Sequence, residues 1–91
     1  MMTMTDLSLF LSEIREGVNC DCLAVDLERD FLYLRFIWHG QFWHNEKRYA
    51  WSRCLELKSL ELMQDSVKTD YTNDIIAEAR HHHKIAMENA A

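Results

Sequence analysis

The 91-residue chain has no proline and only two glycines, Gly17 and Gly40. These residue types punctuate turns and loops, so long irregular connections are not expected. No apolar run approaches the ~20 residues that a membrane helix needs, and no membrane partner is expected. The N-terminus has no basic start followed by an apolar stretch, which argues against a secretory signal. Cysteine is scarce and odd in number: Cys20, Cys22 and Cys54. Without a secretory signal these read as reduced thiols, and a cytoplasmic protein is expected. Catalytic signatures are missing too. There is no Gly-rich phosphate loop, no G-x-S-x-G and no kinase pattern. Cys54 and His44 can be written as a nucleophile and its base, but any chain with three Cys and five His offers such a pair. The expectation is a protein that is not an enzyme and carries no cofactor.

What the chain does have is a globular composition, 48 % hydrophobic and 27 % charged, close to ordinary values. Its length suits one domain, residues 1–91, with a modest core that buries ~60–65 % of the unfolded surface. The net charge of −5 is placed unevenly. Residues 1–28 hold six acids and one base, and residues 59–91 six acids and three bases. Residues 29–58 reverse the balance with six bases and three acids, and they hold eight of the ten Phe, Trp and Tyr residues. The densest part is "FLYLRFIWHGQFWH", from Phe31 to His44.

Periodicity predicts an α+β fold: an N-terminal helix, a three- or four-stranded antiparallel meander and a long or broken C-terminal helix. Leu7, Phe10, Leu11 and Ile14 repeat at i, i+3, i+4 and i+7, one apolar face of a helix. Thr5 is a candidate cap with Asp6 at the positive end of the dipole, and Gly17 suits the position just past the end. Leu23, Val25 and Leu27 alternate with Ala24, Asp26 and Glu28, as in a half-buried strand. Glu28, Arg29 and Asp30 make the turn. In the next strand Leu32, Leu34, Phe36 and Trp38 share one face, and Phe31, Tyr33, Arg35 and Ile37 the other. Gly40 marks a turn, a bulge or the start of a further hairpin. From Tyr49 to Leu57, a row of Tyr49, Trp51, Arg53, Leu55 and Leu57 alternates with Ala50, Ser52, Cys54 and Glu56. From Ser59 onward Leu60, Met63, Val67, Tyr71, Ile75, Ala79, His83 and Ala86 follow the helical repeat. "KTDYTND" is a poor helix interior, with Thr72 placed to cap a second segment. Yet the phase of Val67, Tyr71 and Ile75 survives across it, which favours a continuous helix of roughly 45 Å. That overhangs a domain whose radius of gyration should be ~12–13 Å.

Two helices can cover one face of a small sheet, and the Leu32–Trp38 row should be that face. The uncovered face would then carry Phe31, Tyr33, Arg35 and Ile37, joined by Tyr49, Trp51 and Arg53 from the neighbouring strand. One reading has these rings capping sheet edges and filling a small core. The other is an exposed Tyr/Trp/Arg patch of the composition that dominates protein interfaces. On that reading the partner-binding residues are Phe31, Tyr33, Arg35, Trp43, Arg48, Tyr49, Trp51 and Arg53, and the partner is a larger protein. The same strands admit single-stranded nucleic acid, with rings stacking on bases and Arg35, Lys47, Arg48 and Arg53 on phosphates. The acidic balance and the lack of an RNP-type or zinc-finger pattern weigh against it. The overhanging stripe wants a partner chain as well. It predicts a homodimer through Val67, Tyr71, Ile75 and Ala79, closed by a two-fold axis.

A metal-binding protein is a further alternative. "RHHHK" at 80–84 puts adjacent imidazoles ~100° apart around a helix, so no two converge on an ion. These side chains read as a solvated face near a helix C-terminus. "CDC" puts two thiols on one face of a strand. With Cys54 and His39 or His44 a zinc site can be drawn, but the paired C-x₂₋₄-C spacing is missing, and buried free thiols with no metal ligands are expected.

In size, acidity and lack of catalytic motifs the chain is similar in character to small accessory or inhibitory proteins of phages and mobile elements, anti-CRISPR proteins among them. No motif carries that similarity, and no residue role transfers. It implies an inhibitor or adaptor.

Overall fold

A computed structural model describes residues 2–39 and 48–90, with side chains to Asn89. The elements are α1 (Met4–Val18), β1 (Cys22–Glu28), β2 (Phe31–His39), β3 (Arg48–Glu56), α2 (Leu57–Leu62) and α3 (Asp65–Ala90). The strands form one antiparallel sheet in the order β1-β2-β3. This is the expected α+β architecture with a short α2 added. The expected turn or hairpin at Gly40, and with it a fourth strand, lies outside the described residues.

Helix α1 is capped by Thr3 rather than Thr5. The Thr3 backbone N–H donates to Asp6 Oδ2 (3.1 Å), and the Asp6 N–H donates to Thr3 Oγ1 (3.1 Å). This reciprocal capping box satisfies two helix-end donors, and its hydrogen bonds hold the Asp6 carboxyl below the usual carboxylate range. At the other end Asn19 takes the left-handed conformation (φ 57°) and donates to the Arg15 carbonyl. Gly17 therefore sits inside the helix, not past it. A Cβ there would lie 2.5 Å from Ile76 Cδ1, so glycine permits the close approach of α1 to α3.

A two-residue turn, Arg29-Asp30, joins β1 to β2, with Arg29 at φ 55°. The Leu57 N–H donates to the Asp30 carbonyl (2.8 Å), which fixes the start of α2 against this turn. The helical run begins at Leu57 and is interrupted at Met63, whose backbone is extended. Beyond that interruption α3 is continuous through "KTDYTND". Thr69 and Thr72 donate their hydroxyls to the Asp65 and Lys68 carbonyls (3.0 and 2.7 Å). Back-bonding of this kind satisfies a threonine within a helix without making it a cap. The 26 residues of α3 reach about 39 Å, most of the molecule's 44 Å long axis. The radius of gyration, 14.2 Å, exceeds the compact-domain value for that reason.

The helices cover one face of the sheet over β2 and β3, while Val25 and Leu27 of β1, on the same face, stay 42 % and 49 % exposed. Leu32, Leu34, Phe36 and Trp38 of β2 and Leu55 of β3 are buried there. Leu7, Phe10, Ile14 and Val18 of α1, Leu60 of α2, and Ile75 and Ala79 of α3 complete the cluster. Each fully buried aliphatic or aromatic side chain contributes about 1.5–3 kcal/mol of apolar transfer. Ile75 and Ala79, expected in a seam between chains, are fully buried in their own core. Tyr71 packs partly against that core, and Val67 is 50 % exposed. The physical reason is that α3 lies along the sheet, so its apolar stripe has an intramolecular surface to cover.

Candidate interaction surface

Directly paired residues of an antiparallel ladder share a face. Phe36 pairs with Trp51, Trp38 with Tyr49 and Leu34 with Arg53. Tyr49, Trp51 and Arg53 thus belong to the helix-covered face, which corrects their expected place beside Phe31, Tyr33 and Arg35. The sequence held the signal. Those three residues are in phase with Leu55, whereas the alternate row, Ala50, Ser52, Cys54 and Glu56, is small or polar.

Under the helices the rings stack. Phe36 lies 5.6 Å from Trp51, and Trp38 lies 5.6 Å from Tyr49. Two imidazoles from α3 complete the stack. His83 lies nearly parallel to Trp38 (4.6 Å, 5°), and His82 lies on Trp51 (4.8 Å, 19°). Burial pushes the His83 imidazole below its ordinary value, with Asp21 acting in the opposite sense. The expected solvated face therefore describes His81 but not His82 and His83, which are half-buried. Their phase gives the reason. His82 and His83 follow Ile75 by seven and eight positions, on the same side of the helix. Arg53 pairs with Glu78 and lies over the Tyr71 ring (5.4 Å).

No described helix lies over the opposite face. Its rows run across the sheet as Glu28–Phe31–Glu56, Asp26–Tyr33–Cys54, Ala24–Arg35–Ser52 and Cys22–Ile37–Ala50, ending on His39–Arg48. Phe31 and Tyr33 are 42 % and 43 % exposed, large for rings on a strand. Across the three strands beside Tyr33 runs a shallow groove of about 500 Å³, lined by Ala24, Asp26, Tyr33, Arg35, Ser52 and Cys54. The Tyr33 phenol is held above its ordinary value, first by desolvation and then by neighbouring Cys54 and Glu28. Acids occupy one end of the face (Asp26, Glu28, Glu56), and Arg35 and Arg48 lie toward the other. Of the expected partner-binding residues, the structure gathers Phe31, Tyr33, Arg35 and Arg48 on this face. Trp43 lies outside the described residues, as do His44 and Lys47.

The thiols also depart from expectation. Cys22 and Cys54 are exposed and Cys20 is half-buried, all three free. Desolvation pushes the Cys20 thiol up. Cys20 precedes β1, so the two thiols of "CDC" are not one strand pair. Among the described residues, no three His, Cys, Asp or Glu side chains form a group able to hold a metal ion. No described helix is long and apolar enough to cross a membrane.

No protein-family model, no curated protein and no solved structure matches this chain.

Proposed function

We propose that this protein is a non-enzymatic protein–protein interaction module, an inhibitor or adaptor that covers a surface of a larger protein with its open sheet face. The observation that carries the reading is the uncovered line of Phe31, Tyr33 and Arg35 along β2, with small residues beside it at Cys54, Ala24 and Ser52. Tyr and Arg bury much area while keeping a polar tip, and small neighbours leave room for a partner's side chains between them. The local charge also favours a protein. Arg35 and Arg48 are set against Asp26, Glu28 and Glu56 on the same face. A phosphate backbone would meet more acids than bases there.

The test is affinity capture from an extract of the source cells, with the Phe31→Ala/Tyr33→Ala/Arg35→Ala variant as the paired bait. A stoichiometric protein held by the wild type in 0.3 M salt and lost by the variant is the expected result. Equal capture by both baits removes the open face as the docking surface. Binding of mixed single-stranded oligonucleotides that fades steeply with salt would instead establish a nucleic-acid binder.

A further inference from the structure

We propose that in the free protein the open sheet face is covered by a second copy of this chain, docked face to face with strands reversed. This rests on the reading of that face as a docking surface, and names what occupies it until another partner does. The argument is the layout of charge and size along the strands.

A two-fold axis lying between two such sheets has two limiting orientations, along the strands and across them. A two-fold axis along the strands lays β1 over the second copy's β3, row upon like row, so Asp26 and Glu28 face the acidic end with Glu56. Repulsion opposes that arrangement. A two-fold axis across the strands lays β2 over β2 with the acidic end on the basic end. If the axis passes between the Tyr33 and Arg35 rows, each Arg35 meets the second copy's Tyr33 ring and Asp26 carboxylate. Each Phe31 then lies over the second copy's row of Cys22, Ile37 and Ala50, and each Glu56 falls beside Arg48. An axis through the Arg35 row would instead put Arg35 on Arg35. On the outer strands acids thus meet small residues, Asp26 over Ala24, Glu28 over Cys22 and Glu56 over Ala50, while along β2 Phe31 meets Ile37 and Arg35 meets Tyr33; the two sheets stack as packed sheets do, ~10 Å apart, and every contact is made twice, as an isologous interface requires. Guanidinium over a phenol ring is itself attractive.

The size of the face sets the strength. Three strands about 4.8 Å apart and up to nine residues long at about 3.3 Å present at most about 430 Å² of flat sheet. Two copies give about 860 Å², below the ~1,000 Å² of a stable specific interface, so the dimer is weak and reversible, micromolar or weaker. At 0.15 M salt the Debye length of about 8 Å screens the net charge of −5 across the molecule while sparing the contacts.

The experiment measures mass by sedimentation equilibrium from ten micromolar to one millimolar. It uses the wild type, Arg35→Glu, Asp26→Arg and a 1:1 mixture of these two variants. Both positions are exposed, and circular dichroism verifies that each variant is folded. The expected wild-type mass rises from 10.9 kDa toward twice that value. Each single variant weakens the dimer at least tenfold, and the mixture regains it, because opposite charges then meet at both contacts. A wild type that stays monomeric at one millimolar overturns the proposal, as does a dimer indifferent to Arg35→Glu. A monomer that still captures another protein through Tyr33 and Arg35 overturns the second copy alone and leaves the docking reading standing. Failure of both experiments removes the face as an interface altogether.

Discussion

Ile75 decides where the apolar stripe of α3 spends its hydrophobic area. Its side chain is fully buried among the core residues of its own chain. Trimming it to Ala removes three carbons that the surroundings cannot fully replace, and such changes cost about 2–5 kcal/mol. A domain of this size has roughly 5–14 kcal/mol in total, so Ile75→Ala should remove a third or so of the stability. With about 4–8 °C of melting temperature per kcal/mol at this length, a loss near 3 kcal/mol lowers the midpoint by roughly 12–24 °C. Val67, 50 % exposed on the same helix, is the control, and Val67→Ala should change stability by less than about 0.5 kcal/mol. Urea unfolding followed by far-ultraviolet circular dichroism at two protein concentrations measures both. An intramolecular role predicts a loss independent of concentration. Equal losses at the two positions, or a loss at Ile75 that disappears at high concentration, would show that the stripe is a seam between chains and refute the reasoning. On the same grounds Ile75→Asp should unfold the chain rather than dissociate a dimer.

Three other outcomes follow from local geometry. Gly17→Ala gains about 1 kcal/mol of helix propensity but drives a Cβ into Ile76, an overpacking cost of about 1–3 kcal/mol; the variant should be destabilised by about 1 kcal/mol in urea unfolding, and a stabilised variant would contradict the close approach. Arg29 holds φ 55° in the first turn of the sheet, a conformation that costs a side chain about 1–2 kcal/mol, so Arg29→Gly should raise stability by about 0.5–1 kcal/mol in the same assay. The His83 imidazole is depressed below its ordinary value of 6.5 by burial, so the unfolded chain binds the proton first. Its contribution is complete above pH 6.5 and is lost as the pH falls from there through the lowered folded value. Melting temperatures from pH 7.5 to 5 should therefore drop less for His83→Phe, which keeps a ring on Trp38, than for the wild type.

Much of the architecture was legible because periodicity reports burial directly. The row Leu32, Leu34, Phe36 and Trp38 alternates so cleanly that its face could be assigned before any partner element was known. Continuity of α3 was readable from the preserved phase of Tyr71 and Ile75. Three things escaped for distinct physical reasons. The face of Tyr49, Trp51 and Arg53 follows from their phase with Leu55, but their polar tips give that row the composition of an exposed face. The cap moved from Thr5 to Thr3 because either threonine can accept from the first turn, and the reciprocal bond with Asp6 decides between them. His82 and His83 carry the sequence pattern of a solvated face, because polar side chains seldom enter an apolar stripe. A flat ring, however, can lie on another ring and leave its nitrogens at the rim.

The crowding of rings and bases in residues 29–58 looks from the sequence like one basic aromatic surface. In three dimensions it divides. Trp38, Tyr49 and Trp51 go under the helices and are closed off by His82 and His83. Arg53 goes with them and is met by Glu78. Arg29 is used in a turn, and Lys58 stands on α2. Of the five described bases of this stretch, Arg35 and Arg48 reach the open face, where Asp26, Glu28 and Glu56 outnumber them. A strand sends alternate side chains to opposite faces, so a charge cluster in sequence is halved in space before any neighbour is counted. Here α3 draws a further base inward through Glu78. Among the described residues, what remains outside is the Phe31 and Tyr33 rings, the Arg35 and Arg48 guanidinium groups and a charge gradient along the strands. Among the described residues the open face thus combines an apolar anchor with a direction of charge along the strands.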